Sequence, residues 1–226
     1  MIGIFDSGVG GICAYRQVRE LIPREDIVYL ADRRNAPYGI KTKDEILSFT
    51  KKNIKILRNM GARAVLIACC SASSIYHLLD PTEREISTPI ITPAAALAAK
   101  RGRRIAVIAT RHTVREGAFG REIGRFSDAW VIEMAEQELV SLVERGNRDG
   151  RVDPECRDCL SGIARRVREA DADTLILGCT HFSHLEGEIK RLLPEVNIIS
   201  PARVGAIEMV RKITPCRYEC GKATYM

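Results

Sequence analysis

The chain has 226 residues, of which 46% are hydrophobic and 28% are charged, and its formal net charge is +6. This is the composition of a globular protein, which excludes disordered and fibrous classes, and the length suits one large domain or two small ones. The densest basic cluster, residues 101–104, is too short to predict nucleic-acid binding. No apolar run reaches the roughly 18 residues of a membrane helix, and residues 1–6 carry no leader pattern, so we expect a cytoplasmic protein with no membrane partner.

Eight short apolar runs predict β-strands, and segments with helical patterns separate them. Most of the runs are continuous rather than alternating, which is typical of strands buried on both faces of a parallel sheet. The predicted strands are residues 2–5, 27–30, 64–68, 89–91, 105–109, 130–132, 174–177 and 197–199. The alternation of strands and helices predicts an α/β fold with mainly parallel sheets.

Capping residues mark the starts of two predicted helices. Thr42 and Glu45 have the spacing of a capping box, and Gly61 is placed to end the helix that follows. Apolar residues on one face of that helix are Ile46, Phe49, Ile54 and Leu57. Asp153 and Pro154 predict a second helix start, with the aspartate as cap and the proline at the first helical position.

The two halves of the chain resemble each other. Residues 64–69 form an apolar strand that ends in Cys69, and residues 174–179 repeat this pattern and end in Cys179. Small polar side chains follow both cysteines. In open α/β sheets the functional crevice lies at the carboxyl ends of the strands, so two facing lobes would bring both thiols to one cleft.

We therefore predict two pseudo-symmetric α/β lobes with the active site in the cleft between them. The first lobe would comprise residues 1–92 and 204–226, and the second would comprise residues 93–203. We expect the chain to pass from the first lobe to the second in segment 87–93, and to return to the first lobe near Pro201.

Cys69 and Cys179 are the first candidates for chemistry. A thiol at a strand end beside a helix N-terminus can ionise to a reactive thiolate. A buried, inert cysteine is the alternative at either position. His181 lies two residues beyond Cys179, where it could accept or donate a proton.

A glycine-rich segment, residues 6–11, follows the first predicted strand. Its glycines allow a tight turn and a close approach of the backbone to a ligand. The third glycine of a dinucleotide fingerprint would fall at Cys13, and no phosphate-binding lysine follows. Asp32, 22 residues beyond Gly10, keeps a nucleotide site open as an alternative. Asp6 is either a helix cap or a group directed into the cleft.

Four further cysteines form two close pairs, Cys156 with Cys159 and Cys216 with Cys220. Paired thiolates can bind zinc, but 57 residues separate these pairs, unlike the compact zinc modules. Cytoplasmic cysteines are mostly free thiols. We expect no metal, and whether these residues bind one or form a disulfide stays open.

Six segments carry a family resemblance: residues 3–11, GIFDSGVGG; 29–32, YLAD; 37–39, PYG; 68–69, AC; 142–144, LVE; and 177–181, LGCTH. Together they resemble the cofactor-independent aspartate/glutamate racemase family over residues 2 to about 210. The resemblance implies a two-lobed α/β fold and the racemisation of an amino acid, most closely glutamate, without a cofactor. It also implies a supply of D-glutamate for peptidoglycan, a small-molecule substrate as partner, and a homodimer.

The resemblance further implies a two-base mechanism. Cys69 would act on the D-enantiomer and Cys179 on the L-enantiomer. Asp6 would assist Cys69, and His181 with Glu144 would assist Cys179. The substrate-binding residues that the resemblance implies are Asp6, Ser7, Pro37, Tyr38, Gly39, Cys70, Ser71, Thr180 and His181.

One departure from the family pattern bears on the substrate. Cys70 stands where the family usually has an asparagine that contacts substrate, and a thiol cannot replace the amide. Racemisation of aspartate or a hydantoin is therefore the alternative on the same scaffold. A non-catalytic amino-acid-binding module is an alternative of another class, although binding alone needs no pair of bases.

Overall fold

The computed structural model describes residues 1–147 and 150–213, and eight strands in these residues form two four-stranded parallel sheets. The strands are β1 (Ile2–Asp6), β2 (Ile27–Ala31), β3 (Ala64–Ile67), β4 (Ser87–Pro89), β5 (Arg104–Ala109), β6 (Trp130–Ala135), β7 (Thr174–Gly178) and β8 (Asn197–Ile199). Their order is β2-β1-β3-β4 in the first sheet and β6-β5-β7-β8 in the second. The α/β class with two similar lobes is thus confirmed. We call the units around these sheets the first and second lobes.

Helices cover both sheets. The α-helices of the described residues are α1 (Ile12–Leu21), α2 (Lys43–Asn59), α3 (Cys70–Ser74), α4 (Pro81–Ile86), α5 (Ile91–Arg101), α6 (Arg111–Arg115), α7 (Ala118–Ile123), α8 (Gln137–Glu144), α9 (Pro154–Glu169), α10 (Glu186–Leu192) and α11 (Pro201–Ile213). Short 3-10 helices span Tyr38–Ile40, Tyr76–Leu78 and Thr180–Leu185. Across residues 1–147 and 150–213, no helix combines the length and apolar character that a bilayer crossing requires.

The central strands are buried on both faces, which is why their sequences are continuous apolar runs. Every residue of β1, β3 and β7 is buried. In the first lobe Ile2 pairs with Ile27 on one side and Ala64 on the other. All strands of a sheet run in the same direction, so their carboxyl ends meet at one edge. The residues just after β1, β3, β5 and β7 are therefore collected at two facing edges.

The predicted helix signals are confirmed at α2 and α9. The Thr42 hydroxyl accepts from the Glu45 amide at 3.3 Å, and the Glu45 carboxylate accepts from the Thr42 amide at 2.9 Å. Gly61, with a φ of +92°, follows the end of α2 in the left-handed region. At α9 the Asp153 carboxylate accepts from the Cys156 amide at 2.8 Å. The caps satisfy amides that a helix start leaves without partners.

The fourth predicted strand is wrong by two residues. The sequence suggested residues 89–91, but β4 is Ser87–Pro89 and Ile91 already begins α5. Ile90 and Ile91 are fully buried, and a buried helix start has the same apolar appearance as a buried strand. Pro93 fits this helix because its missing N–H falls in the first turn.

One apolar core continues from one lobe to the other. It contains Ile4 of β1, Val107 of β5 and Ala206 of α11. The division into residues 1–92 with 204–226 and residues 93–203 stays a prediction. The last thirteen residues of the predicted first lobe, which include Cys216 and Cys220, lie outside the described residues.

Replacing either of two glycines by alanine should change the free energy of unfolding, with opposite signs at the two positions. Gly162→Ala should raise the free energy of unfolding by about 0.5–1 kcal/mol, because Gly162 lies inside α9 with open space around its Cβ position. Gly61→Ala should lower it by about 1 kcal/mol, because alanine is strained at a positive φ. Urea unfolding of both variants measures these changes. A Gly61→Ala protein as stable as the parent would contradict the left-handed end of α2.

Candidate active site

The two predicted thiols lie in one buried site between the lobes. Cys69 directly precedes α3, and Cys179 directly precedes the 3-10 helix Thr180–Leu185. Their exposed fractions are only 5% and 6%. The two sulfurs are close enough for the charge of Cys179 to contribute to the raised pKa of Cys69. The structure thus brings together two cysteines from equivalent positions in the two sheets.

Cys69 is surrounded by groups that keep its thiol protonated. Burial raises its pKa to about 12, and the carboxylate of Asp6 acts in the same direction. The Ala72 amide and the Ser7 hydroxyl, the latter 3.8 Å from the sulfur, act against this but are outweighed. The Cys69 thiol therefore holds its proton near neutral pH.

Asp6 joins the first lobe to the second. It is fully buried, and its Oδ1 accepts from the Gly8 amide at 3.1 Å and from the Ser7 hydroxyl at 3.4 Å. Its Oδ2 accepts from the hydroxyl of Thr180 at 3.0 Å. Gly11 is needed beside it, because a Cβ there would lie 2.6 Å from Asp6 Cβ. Asp6 is therefore not a helix cap, and its side chain is directed into the cleft between the lobes.

Cys179 is the first member of a hydrogen-bonded series. Its sulfur lies 3.6 Å from Nδ1 of His181, and Nε2 of His181 lies 2.6 Å from Oε1 of Glu144 at the end of α8. Burial lowers the pKa of His181, but the contacts with Cys179 and Glu144 outweigh it and raise the pKa to about 10. An imidazolium is therefore held beside the Cys179 sulfur. The arrangement is that of a nucleophile or base, a histidine and an orienting carboxylate.

Cys70 lies at the border between the site and the core. It is buried among apolar residues that include Ala68 and Ile90. Burial raises the pKa of its thiol well above the usual value, and the charges of Cys179 and Cys69 add to this. Its predicted contact with substrate stays a prediction.

Hydroxyl groups from both lobes meet near the cysteines. The hydroxyl of Ser71 lies 3.0 Å from that of Thr110, which lies 2.9 Å from that of Thr113. Thr110 caps α6, and sequence reasoning missed it. The available signal was its place directly after β5, the same position relative to a strand that singled out the two cysteines.

The segment around Tyr38 is held by Asp32. The Tyr38 hydroxyl donates to Asp32 at 2.6 Å, and the Asn53 side-chain amide lies 3.0 Å from the same hydroxyl. Burial raises the pKa of Asp32, but hydrogen bonds from Tyr38, Asn35 and Asn53 lower it further than burial raises it. The structure thus gives this acidic residue a positioning role that needs no nucleotide.

Gly39 brings this segment against the second lobe. A Cβ on Gly39 would lie 2.6 Å from Oε1 of Gln137 and 2.7 Å from Cβ of Thr110. Gln137 is a second residue that sequence reasoning missed. Pro37 is exposed, whereas Tyr38 and Gly39 are buried. Of this predicted trio, Gly39 is therefore packed directly against residues of the other lobe.

The remaining cysteine pair lies on α9. Cys156 is buried in the core of the second lobe, and Cys159 is half-buried. Among residues 1–147 and 150–213, no group of three or more His, Cys, Asp or Glu side chains could hold a metal ion. The pairing of Cys216 and Cys220 falls on residues that are not described.

Known proteins resemble this chain over most of its length. Residues 13–209 match the family model described as Asp/Glu/Hydantoin racemase. A glutamate racemase of Desulforudis audaxviator is 35% identical over 220 residues, covering 93% of this chain and 80% of that protein. A glutamate racemase isoform from Bacillus anthracis superposes with a TM-score of 0.84 at 29% identity, covering 94% of this chain and 81% of the other. The Francisella tularensis glutamate racemase in complex with D-glutamate gives 0.84 at 27% identity, with coverages of 94% and 80%.

Replacing Glu144 by Gln should lower the pKa of His181 from about 10, because the carboxylate that stabilises the imidazolium is lost. A raised histidine pKa gives stability that is fully present below pH 6.5 and is lost as the pH rises towards 10. The variant should therefore lose less stability than the parent between these pH values. NMR titration of the His181 ring and urea unfolding at several pH values measure the two effects.

Glu138→Gln is the matched control for this experiment. Glu138 is exposed on the same helix, α8, and its replacement removes the same charge. We expect it to leave the pKa of His181 close to the parent value. A Glu144→Gln protein that titrates like the control would show that Glu144 does not hold the imidazolium.

Proposed function

Because the chain belongs to the Asp/Glu/hydantoin racemase family and is therefore an isomerase, we propose that it racemises glutamate without a cofactor by proton transfer between two cysteines. The observation that carries this proposal is the buried pair Cys69 and Cys179, each beside its own proton-handling groups. Racemisation needs a base and an acid on opposite sides of one carbon. Relatives named glutamate racemases, two of them solved with D- or L-glutamate, support glutamate as the substrate.

In the direction from L- to D-glutamate, the thiolate of Cys179 removes the α-proton from one face of the substrate. The thiol of Cys69 then donates its proton to the opposite face, which leaves a thiolate on Cys69 and a thiol on Cys179. The raised pKa of Cys69 supports this assignment, because a protonated Cys69 is the form that this direction consumes. The reverse direction uses the same two groups with their roles exchanged.

The neighbours of each thiol assist its step. The carboxylate of Asp6 favours the protonated form of Cys69 by repelling negative charge on the sulfur. His181, oriented by Glu144, places positive charge beside Cys179. Matching a base and an acid to their tasks typically contributes about 10²–10⁴-fold to such a rate.

The carbanion-like transition state needs donors that are already in position. The hydroxyl of Ser7 lies 3.8 Å from the Cys69 sulfur, and Ser71 and Thr180 follow the two thiols in the chain. We assign these three hydroxyls to the substrate carboxylates together with nearby backbone amides. One preorganised donor of this kind is worth roughly 3–4 kcal/mol. We further propose that the product, D-glutamate, is used for peptidoglycan and that the enzyme works in the cytoplasm. The homodimer stays a prediction.

Proton exchange in D₂O tests the two-base mechanism. Early in the reaction the newly formed enantiomer should carry deuterium at Cα, while the remaining substrate keeps its proton, because different groups remove and return the proton. Cys69→Ser and Cys179→Ser should each lower racemisation by about 10²–10⁴-fold. NMR of the α-position together with chiral chromatography measures both quantities.

Cys159→Ser is the control, since Cys159 is a half-buried thiol on α9 that the mechanism does not use. It should racemise at the parent rate. Activity that survives in Cys69→Ser would contradict the assignment of Cys69 and point to the neighbouring thiol of Cys70. Exchange with aspartate but not with glutamate would overturn the proposed substrate and retain the mechanism.

A further inference from the structure

A second cysteine–histidine pair lies outside the two-thiol site. The sulfur of Cys13 lies 3.7 Å from Nδ1 and 3.6 Å from Nε2 of His184. Both distances lie within hydrogen-bonding range for sulfur, so the thiol of Cys13 and the ring of His184 are direct neighbours. The mechanism proposed above uses neither residue.

The surroundings of Cys13 favour a reactive thiol. Cys13 is the second residue of α1, a helix of 10 residues, so its side chain lies where the helix dipole is positive. It is also half-buried rather than fully enclosed. A nearby histidine, a helix N-terminus and partial exposure are the features that distinguish reactive cysteines from inert ones.

We propose that Cys13 is a second reactive thiol, assisted by His184 and modified by low-molecular-weight disulfides. In this reaction His184 takes the thiol proton, and the Cys13 thiolate attacks one sulfur of the small disulfide. A new S–S bond forms to Cys13 as the original S–S bond breaks. The other half of the disulfide leaves as a thiolate, and a small thiol reverses the exchange.

The position of the pair links this modification to the two-thiol site. Cys13 belongs to the first lobe, and His184 belongs to the segment of the second lobe that also carries Thr180 and His181. The two segments are in tight contact, because a Cβ on Gly10 would lie 2.5 Å from the Thr180 hydroxyl. Cys13 contacts His184 of that same segment, so a bulky group on its sulfur would press against the segment and move Thr180 away from Asp6.

Modification of Cys13 therefore switches off the enzyme reversibly. This consequence rests on the proposed racemase function, whereas the reactivity of Cys13 does not. The two parts are tested separately below, so that the failure of one is distinguishable from the failure of the other.

Alkylation of the native full-length protein by iodoacetamide, followed peptide by peptide with mass spectrometry, tests the reactivity. Cys159 is the matched reference, because it is also half-buried on a helix. We expect Cys13 to react at least about tenfold faster than Cys159. His184→Gln should slow Cys13 by about tenfold and leave Cys159 unchanged. Equal rates for the two cysteines, or a Cys13 rate that is insensitive to His184→Gln, would overturn the proposal.

Treatment with glutathione disulfide tests the effect on activity. The parent protein should gain one glutathionyl group on Cys13, lose most of its racemase activity and regain it with excess glutathione. Cys13→Ser, whose parent-like activity is checked first, should stay active under the same treatment. If the parent and Cys13→Ser lose activity equally, the control of activity through Cys13 is overturned. An inactive but rapidly alkylated parent protein would contradict the racemase function while leaving the reactive thiol established.

Discussion

The hydrogen bond from the Thr180 hydroxyl to the buried carboxylate of Asp6 is the contact on which the rest of the site depends. It joins the carboxyl end of β1 in one lobe to the carboxyl end of β7 in the other. A buried carboxylate is costly unless its oxygens are satisfied, and both oxygens of Asp6 accept hydrogen bonds here. The need to satisfy this charge therefore holds the segment after β7, which begins with Cys179, against the end of β1, while the shared apolar core packs the two lobes together.

Electrostatics gives the two similar halves different properties. Both thiols follow a buried strand and precede a short helix, so they occupy equivalent backbone positions. Cys69 has the Asp6 carboxylate as its charged neighbour, whereas Cys179 has the His181 imidazolium. Nearly symmetric backbones can in this way supply an acid and a base, which a reaction at a single carbon requires.

Much of this architecture could be predicted from the sequence, because buried parallel strands have continuous apolar runs and caps have fixed spacings. The limits were physical. β4 was misplaced since buried isoleucines begin a helix as readily as they extend a strand. Thr110 was missed although it directly follows β5, and Gln137 was missed because its contact with Gly39 depends on the approach of the lobes. Cys13 and His184 are 171 residues apart, and no local pattern indicates that they meet.

The low exposure of both thiols has a consequence for the timing of turnover. Because Cys69 and Cys179 are only 5% and 6% exposed, a substrate the size of an amino acid would reach their sulfurs only when the lobes separate. Separation breaks the contacts of Asp6 with Thr180 and of Ser71 with Thr110, and each of these must form again before chemistry. In the proposed mechanism, stronger interlobe contacts would therefore slow the release of product while shielding the carbanion-like transition state from water.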